Sequence, residues 1–407
     1  MPHMPDIGVL ALVPERFDSP WMSRHQILTR LAGWFNVVWL NPPREWRAVL
    51  GGRRPPAPAT ALAPGRGLVV REPEPWLPLF YRPEWLERVT DSGRLRGARR
   101  QLLRLGAEKV ALHLWRPVFL PALDRVDHDF ALYHVVDEYT FSDRELPVPD
   151  QERELLTRAD GVIIHSPGLM EKKGGFNPNT WQIPNGVDFD AVAAEGPEPD
   201  DLAAIAHPRI GYCGWLKNQL DWDLLRTLAE RHPAWQFVFA GAVAPHPELE
   251  SVLERLGELP NVHLLGAKRS DELMRYPRHF DVCMMPYRIT SYTNCIYPLK
   301  LHEYLASGRP VVGTPIRTLR DFGHVIGLAE GDAAWSREIE RALSPESLDA
   351  RSAEARIEVA RCHDWDRIAH RVATTIARGV GEDVARRFEA IPVPDDWQND
   401  PQDGAAR

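Results

Sequence analysis

Asn294–Thr314 reads NCIYPLKLHEYLASGRPVVGT, and the order of its parts decides the fold. Pro298 suits the first turn of a helix, where its missing N–H costs nothing. Leu299, Leu301, Tyr304 and Leu305 supply an apolar face, and Gly308 is the natural stop. Arg309-Pro310 then leads into Val311–Thr314, a short β-branched run typical of a parallel strand covered on both faces. Upstream, Asp281–Tyr287 (DVCMMPY) reads as another strand, so the unit is strand, loop, helix, strand. The loop falls at a strand's carboxyl end, where open α/β sheets bind ligands. Lys300 and Glu303 share one helix face, being three residues apart. A cation there suits a diphosphate and a carboxylate suits a ribose diol. The simpler alternative is a surface Lys–Glu pair worth at most ~0.5 kcal/mol.

Strand and helix signals alternate on both sides of this stretch. Before it run Ile7–Val13, Val37–Leu40, Leu68–Val70, Val110–Trp115, Phe130–Val136 and Val162–His165, with helices predicted over Met22–Trp34, Pro83–Leu105 and Gln151–Ala159. From Pro208 the pattern restarts with Arg209–Cys213, Gln236–Ala240, Val262–Leu265, Asp281–Met285 and Pro310–Gly313, separated by helices such as Leu220–Arg231 and Ser270–Phe280. Such alternation implies parallel sheets with helices on both faces. The linker falls in the Ala-, Pro- and acid-rich Ala191–Asp201. The expected architecture is α/β: a Rossmann-like domain over 1–190, a second over 202–375, and a C-terminal helix and acidic tail over 376–407, loose from about Val393. Two doubly wound domains facing each other across a cleft make that cleft the default ligand site.

Composition sets the surroundings. A chain of 407 residues with 44% hydrophobic and 26% charged residues is a globular protein too long for one ordinary core. A net charge of −8 argues against non-specific nucleic-acid binding. Cys213, Cys283, Cys295 and Cys362 form no CxxC pair and read as reduced thiols. With no visible signal peptide and no apolar run of ~18 residues, a cytoplasmic protein is expected.

YPLKLHEYLASGRPVVGT resembles the donor-site segment of GT-B glycosyltransferases of the group 1 (family 4) type, most closely the bacterial branch whose motif runs Pro-x-Lys-x-x-Glu-Tyr-Leu-Ala-x-Gly-x-Pro-Val-Val. IPNGVD (Ile183–Asp188), IGYCGWL (Ile210–Leu216) and Asn261–Tyr287 resemble the family's flanking segments, in the same order. The resemblance implies a nucleoside-diphosphate sugar held by the second domain and an acceptor held by the first. Glu303 is then expected on the ribose hydroxyls and Lys300 on the diphosphate. The loop Ser291–Ile296, with Ser291, Thr293, Asn294, Cys295 and Ile296, is expected to turn its backbone N–H groups to the diphosphate and sugar. Gly214 opens the turn near the phosphates, Lys217 adds a second charge, and Gly266 and Ala267 meet the nucleobase. Two departures stand out: Cys295 replaces a glutamate eight positions before Glu303, and VPERFDSPWMSRHQ replaces the usual glycine-rich loop after the first strand.

The resemblance implies a retaining transfer without an obligatory metal or cofactor, with UDP taken ahead of GDP although no residue decides between them. Lysines, N–H groups and a helix dipole stabilise the leaving diphosphate, and the leaving phosphate takes the acceptor's proton. Catalytic expectations are Lys300, Glu303 and Asp137. On the acceptor side stand Arg24, His25, His113, His165 and Asp137, with a packing role as the simpler reading for each strand histidine, His134 included. Asp137 is favoured because it ends its strand. The acceptor is a sugar, a lipid-linked molecule or a small molecule. Two DWD triplets, Asp221–Asp223 and Asp364–Asp366, read as acidic helix starts and not as metal sites. Alternatives are a non-hydrolysing sugar-nucleotide epimerase and a non-catalytic sugar-nucleotide-binding protein. Glu74–Val89, dense in aromatics and prolines, and the basic Arg94–Gly106 suit peripheral contact with a membrane's inner face. A solvated basic helix packed on the first sheet explains them more simply, and Arg53–Arg54 adds little.

Overall fold

The computed structural model describes residues 1–47, 67–194, 196–394 and 397. Arg53, Arg54 and most of the expected acidic tail lie outside these residues. The chain forms two compact units, one of Met1–Thr140, Pro147–Pro184 and Asp366–Arg407, the other of Phe141–Leu146 and Asn185–Trp365. This division departs from consecutive blocks at 190, 202 and 375. The helices Trp365–Val380 and Glu382–Glu389 belong to the first unit because their apolar faces close on it. Phe388 stacks on Phe35 at 5.8 Å, and Arg387 pairs with Asp6 at 2.7 Å. The piece Phe141–Leu146 belongs to the second unit, where the Ser291 N–H donates to the Asp143 carbonyl at 3.1 Å.

The first unit is a parallel sheet of β1 (Met4–Leu12), β2 (Phe35–Leu40), β3 (Leu68–Arg71), β4 (Lys109–Leu114), β5 (Phe130–Val135), β6 (Gly161–Ile164) and β7 (Thr180–Gln182), in the order β3-β2-β1-β4-β5-β6-β7. The central strands are near-continuous apolar runs because helices cover both faces. β7 has no sequence signal: its three residues are half-buried or exposed at the sheet edge. The second unit repeats the plan with β8 (Arg209–Cys213), β9 (Gln236–Ala240), β10 (Val262–Gly266), β11 (Val282–Met285), β12 (Val311–Gly313) and β13 (Gly327–Leu328), in the order β10-β9-β8-β11-β12-β13. β13 escapes sequence reading because it pairs through only Gly327 and Leu328.

Three local expectations change. Ser270–Phe280 is not one helix but a turn, Ser270–Leu273, then a 3-10 turn, Pro277–His279, because Pro277 cannot donate into a continuing helix. Phe280 then drops into the core against Gly211, where a Cβ would stand 2.1 Å from the ring. Ser291–Cys295, read as a loop, is a short helix. Among the described residues no helix is long and apolar enough to cross a membrane. Strand order reverses between β1 and β4 and between β8 and β11, so each unit has one switch point at its strands' carboxyl ends.

Candidate functional site

In the second unit the switch point lies where β8 ends at Cys213 and β11 at Met285. The helix Leu299–Ala306 is fastened there by Tyr304, whose hydroxyl accepts the Cys213 N–H at 2.8 Å. Its first residues, Leu299 and Lys300, carry N–H groups with no intrahelical acceptor. Lys300 runs past Gly214, where a Cβ would stand 2.5 Å from its Cε and Nζ, and ends 5.2 Å from the centre of the Tyr212 ring. Only glycine fits at 214, both for that approach and for its φ of +118°. Gly241 backs it, φ +148°, so close that a Cβ would stand 2.1 Å from the Gly214 carbonyl oxygen. The Gly214 N–H donates to Ala240 at 2.8 Å and the Gly241 N–H to Gly266 at 2.9 Å. Those two bonds bring the ends of β8, β9 and β10 into one backbone ledge beside Lys300.

Glu303 lies one turn along the helix, half-buried. Desolvation raises its carboxyl above the ordinary range, and the charge of Lys300 opposes the rise. Among the described residues the side chains of Lys300 and Glu303 make no hydrogen bond or ion pair, to each other or elsewhere. The surface-pair reading therefore fails: a cation and a carboxylate stand together over apolar and tyrosine neighbours, each with its donors or acceptors open. Tyr212, Tyr287 and the Cys213 thiol beside them are pushed up by burial and stay neutral.

The Ser291–Ile296 segment is more occupied than expected. Thr293 is buried and caps its own turn: its N–H donates to Thr290 Oγ1 at 3.2 Å, and its hydroxyl donates to the Arg288 carbonyl at 2.5 Å. The Ser291 hydroxyl donates to Glu145, and Asn294 Oδ1 accepts the Arg317 N–H at 3.0 Å. The N–H groups of Ser291, Thr293, Asn294 and Ile296 are all bonded within the unit. Cys295 is buried and its thiol is free of disulfide, like the other three. Side-chain capping by Thr290, legible as a Thr-x-x-Thr spacing, explains why this segment offers little to a ligand. Lys217 is exposed and its carbonyl accepts the Trp222 Nε1–H at 3.0 Å. Gly266 and Ala267 are exposed at the end of β10. Asp221 caps its helix through the Leu224 N–H at 3.0 Å, as expected for an acidic helix start. Two cavities of about 360 and 460 Å³ in this unit are lined by Pro310 and Arg356, at the strands' amino ends, and include neither Lys300 nor Glu303.

In the first unit the switch point lies between the ends of β1 and β4. The loop after β1 is held by side chains in place of a glycine turn. His25 Nδ1 accepts the Met22 N–H at 3.2 Å and its Nε2–H donates to the Phe17 carbonyl at 3.1 Å. Both ring nitrogens are thus spent on the loop, and burial lowers the ring's pKa, so His25 is no acceptor-side base. Arg24 is buried, pairs with Glu15 and lies 5.7 Å from the Trp115 ring. His113, in β4, and His165, just past the end of β6, are buried, and burial lowers each to about 3. His113 Nε2 meets His134 Nδ1 at 3.2 Å, one ring donating to the other. Neither His113 nor His165 reaches the surface, which corrects their acceptor-side assignment in favour of packing.

Asp137 is half-buried just past β5, its Oδ1 accepting the Glu138 N–H at 2.9 Å. Beneath it lies an ionic cluster that sequence reading missed. Lys173, fully buried, pairs with Glu152 at 2.7 Å and Glu138 at 3.3 Å, and donates to the Asp137 carbonyl at 3.3 Å. Tyr133 donates to Glu152 at 3.2 Å. Glu138 is desolvated, yet Lys173, the Thr140 N–H and Lys172 hold its carboxyl below the ordinary range. Desolvation wins at Glu152, whose carboxyl is raised despite Lys173. The cluster fixes the backbone that presents Asp137.

Residues 207–344 match the family model described as glycosyl transferases group 1. The Bacillus subtilis (strain 168) protein TuaH, named as a teichuronic acid biosynthesis glycosyltransferase, is 29% identical over 233 residues, 55% of this chain and 58% of that protein. The chain thus spans a little over half the length of this curated relative. Sucrose-phosphate synthase from Thermosynechococcus elongatus superposes with a TM-score of 0.68 at 15% identity, covering 92% of this chain and 98% of that one. An E. coli structure described as trehalose-6-phosphate bound with UDP-2-fluoro glucose gives 0.64 at 13% identity, covering 92% and 99%. The fold is that of the GT-B glycosyltransferases, and the group 1 match falls on the unit that holds Gly214, Lys300 and Glu303.

Proposed function

We propose that the protein is a glycosyltransferase whose second unit holds a nucleoside-diphosphate sugar, with Lys300 on the diphosphate and Glu303 on the ribose hydroxyls. The observation that carries this reading is the unpaired Lys300–Glu303 couple, set against Gly214 at a switch point. The ledge of Gly214, Gly241 and Gly266 lets a diphosphate approach backbone closely, and the opening N–H groups of Leu299 and Lys300 face an anion favourably. Lys217 adds a second cation, and Gly266 and Ala267 stand by the base. With so many contacts inside Ser291–Ile296 already made, Leu299 and Lys300 take the anion-binding part first assigned to that segment. UDP is preferred to GDP, supported by the UDP sugar described for the E. coli neighbour.

The transfer breaks the bond between the anomeric carbon and the diphosphate oxygen and forms one to the acceptor hydroxyl oxygen. The acceptor's proton passes to the departing phosphate oxygen on the same face, so configuration is retained. Lys300, Lys217 and the N–H groups neutralise the charge that develops, and the reaction needs no metal ion or other cofactor. Acceptor recognition belongs to the first unit's carboxyl-end loops, with Asp137 as its polar contact and a sugar, lipid-linked or small-molecule hydroxyl as its partner; Arg24, buried against Glu15, holds the loop after β1. Cysteines outside any disulfide and a nucleotide-sugar substrate fit a cytoplasmic enzyme. The epimerase and the non-catalytic alternative gain nothing from these observations.

The test is turnover with UDP-glucose and related donors in the presence of candidate acceptors, followed by release of UDP and the anomeric configuration of the product. The expected result is UDP release that falls at least about hundredfold in Lys300→Ala, as for loss of one donor to a developing oxyanion. An isomerised nucleotide sugar with no UDP released would overturn the transferase reading.

A further inference from the structure

The first unit leaves a group of large aromatic side chains uncovered. Trp76, Tyr81 and Trp85 are 75%, 66% and 65% exposed, and Val89 is 58% exposed. Single exposed apolar residues are ordinary, whereas four large ones within residues 76–89 point to an interaction surface. Trp46, stacked on Phe80 with ring centres 6.4 Å apart, extends the group, and the Tyr81 hydroxyl ties it in by donating to Glu45 at 3.2 Å. The helix Glu84–Arg104 continues the same surface. Trp85, Val89, Arg96, Arg100 and Leu103 follow one another at four, seven, four and three residues, and Arg88 lies three after Trp85, which sets them on one stripe, and each is exposed. Leu95, Ala98 and Leu102 turn the other way into the core.

The charge of the stripe is not neutralised. Among the described residues Arg82, Arg88, Arg96, Arg100 and Arg104 have no carboxylate partner. The nearby acids are committed elsewhere, Glu87 and Asp91 to Arg125. Among the described residues Glu84, at the helix start, and Glu45, which accepts from Tyr81, are the exposed carboxylates here with no cation partner. A chain of net charge −8 thus concentrates unpaired arginines beside its most exposed tryptophans.

We propose that this face seats the protein on an anionic lipid bilayer. Tryptophan and tyrosine belong at the headgroup–acyl boundary, and arginines beside them meet lipid phosphates. A second copy of the chain fits less well, because a two-fold contact would bring the same arginines against each other. The inference rests on the first unit alone and does not depend on the donor reading.

The full chain is centrifuged with vesicles of phosphatidylglycerol and phosphatidylcholine, and separately with phosphatidylcholine alone, at low and high salt. The expected result is sedimentation with the anionic vesicles, weakened by salt and nearly absent with the neutral ones. Arg96→Ser/Arg100→Ser weakens partitioning by roughly fivefold per arginine. Trp76→Ser/Trp85→Ser abolishes it, both variants keeping the wild-type unfolding temperature. Wild-type protein left in the supernatant with anionic vesicles overturns the proposal, as do variants that sediment like wild type. A wild-type dimer that Trp85→Ser dissociates overturns it too, assigning the face to a second copy.

Discussion

Glu303 keeps a carboxylate where water is scarce, beside a lysine that does not pair with it. Such an arrangement costs the empty protein and rewards a ligand that brings hydroxyl donors. Replacing Glu303 by Gln should therefore raise the stability of the unliganded chain, by on the order of 1 kcal/mol or less, while weakening nucleotide-sugar binding. Hydrogen bonds to a charged group are worth about 1.5–3 kcal/mol, so affinity should drop roughly tenfold to hundredfold. Calorimetric titration and thermal unfolding of the same variant read both effects; a variant that is less stable and binds normally contradicts the assignment. The carboxyl's raised pKa also fixes a pH dependence. The binding form is ionised, so affinity is complete at neutral pH and declines as pH falls through a value above the ordinary 4.5. An affinity flat down to pH 4.5 would contradict a carboxylate contact.

At the scale of elements, the helix Leu299–Ala306 and its two flanking strands were legible because their periodicities are unambiguous and Gly308 and Pro310 punctuate them. Lys300 and Glu303 were legible as same-face neighbours, but their lack of pairing depends on Gly214, some 86 positions earlier, making room for the lysine. Gly214→Ala should displace Lys300 and strain a φ of +118°, losing donor binding at least tenfold as well as about 1 kcal/mol or more of stability. Titration with UDP beside thermal unfolding checks it. Other features were illegible for physical reasons. Strand alternation does not say which histidines are buried on both faces, so His113 and His165 looked available. The Glu138–Lys173–Glu152 cluster joins residues from three elements with no local pattern. Removing its lysine leaves two buried carboxylates without their cation, so Lys173→Met should destabilise the first unit by about 3–5 kcal/mol, read by denaturant unfolding. A loss under 1 kcal/mol would show that the acids simply take up protons.

For the molecule as a whole, the buried histidines set an acid limit. His113 and His165 titrate near 3 when folded and near 6.5 when unfolded. With folded values depressed, the stability they contribute is complete above about pH 6.5 and lost as pH falls towards 3. Each removes about 1.4 kcal/mol per pH unit, together nearly 3, against a total of roughly 5–15 kcal/mol. His134 and His25 act in the same direction. The first unit should therefore unfold cooperatively between about pH 4 and 5, seen by circular dichroism; a native spectrum at pH 3.5 would contradict the burial of these rings. Two parallel sheets were readable from strand–helix alternation, while the return of the last helices to the first unit was not, because nothing local in Trp365–Val380 names its partner. The central claim is that the second unit holds a nucleoside diphosphate through Lys300 and Glu303. Its most direct test is calorimetric titration of UDP, GDP and ADP into the wild type and Glu303→Ala. The account predicts that UDP binds the wild type most tightly and Glu303→Ala at least tenfold more weakly; equal affinity for both proteins, or no binding to the wild type at millimolar nucleotide, would contradict it.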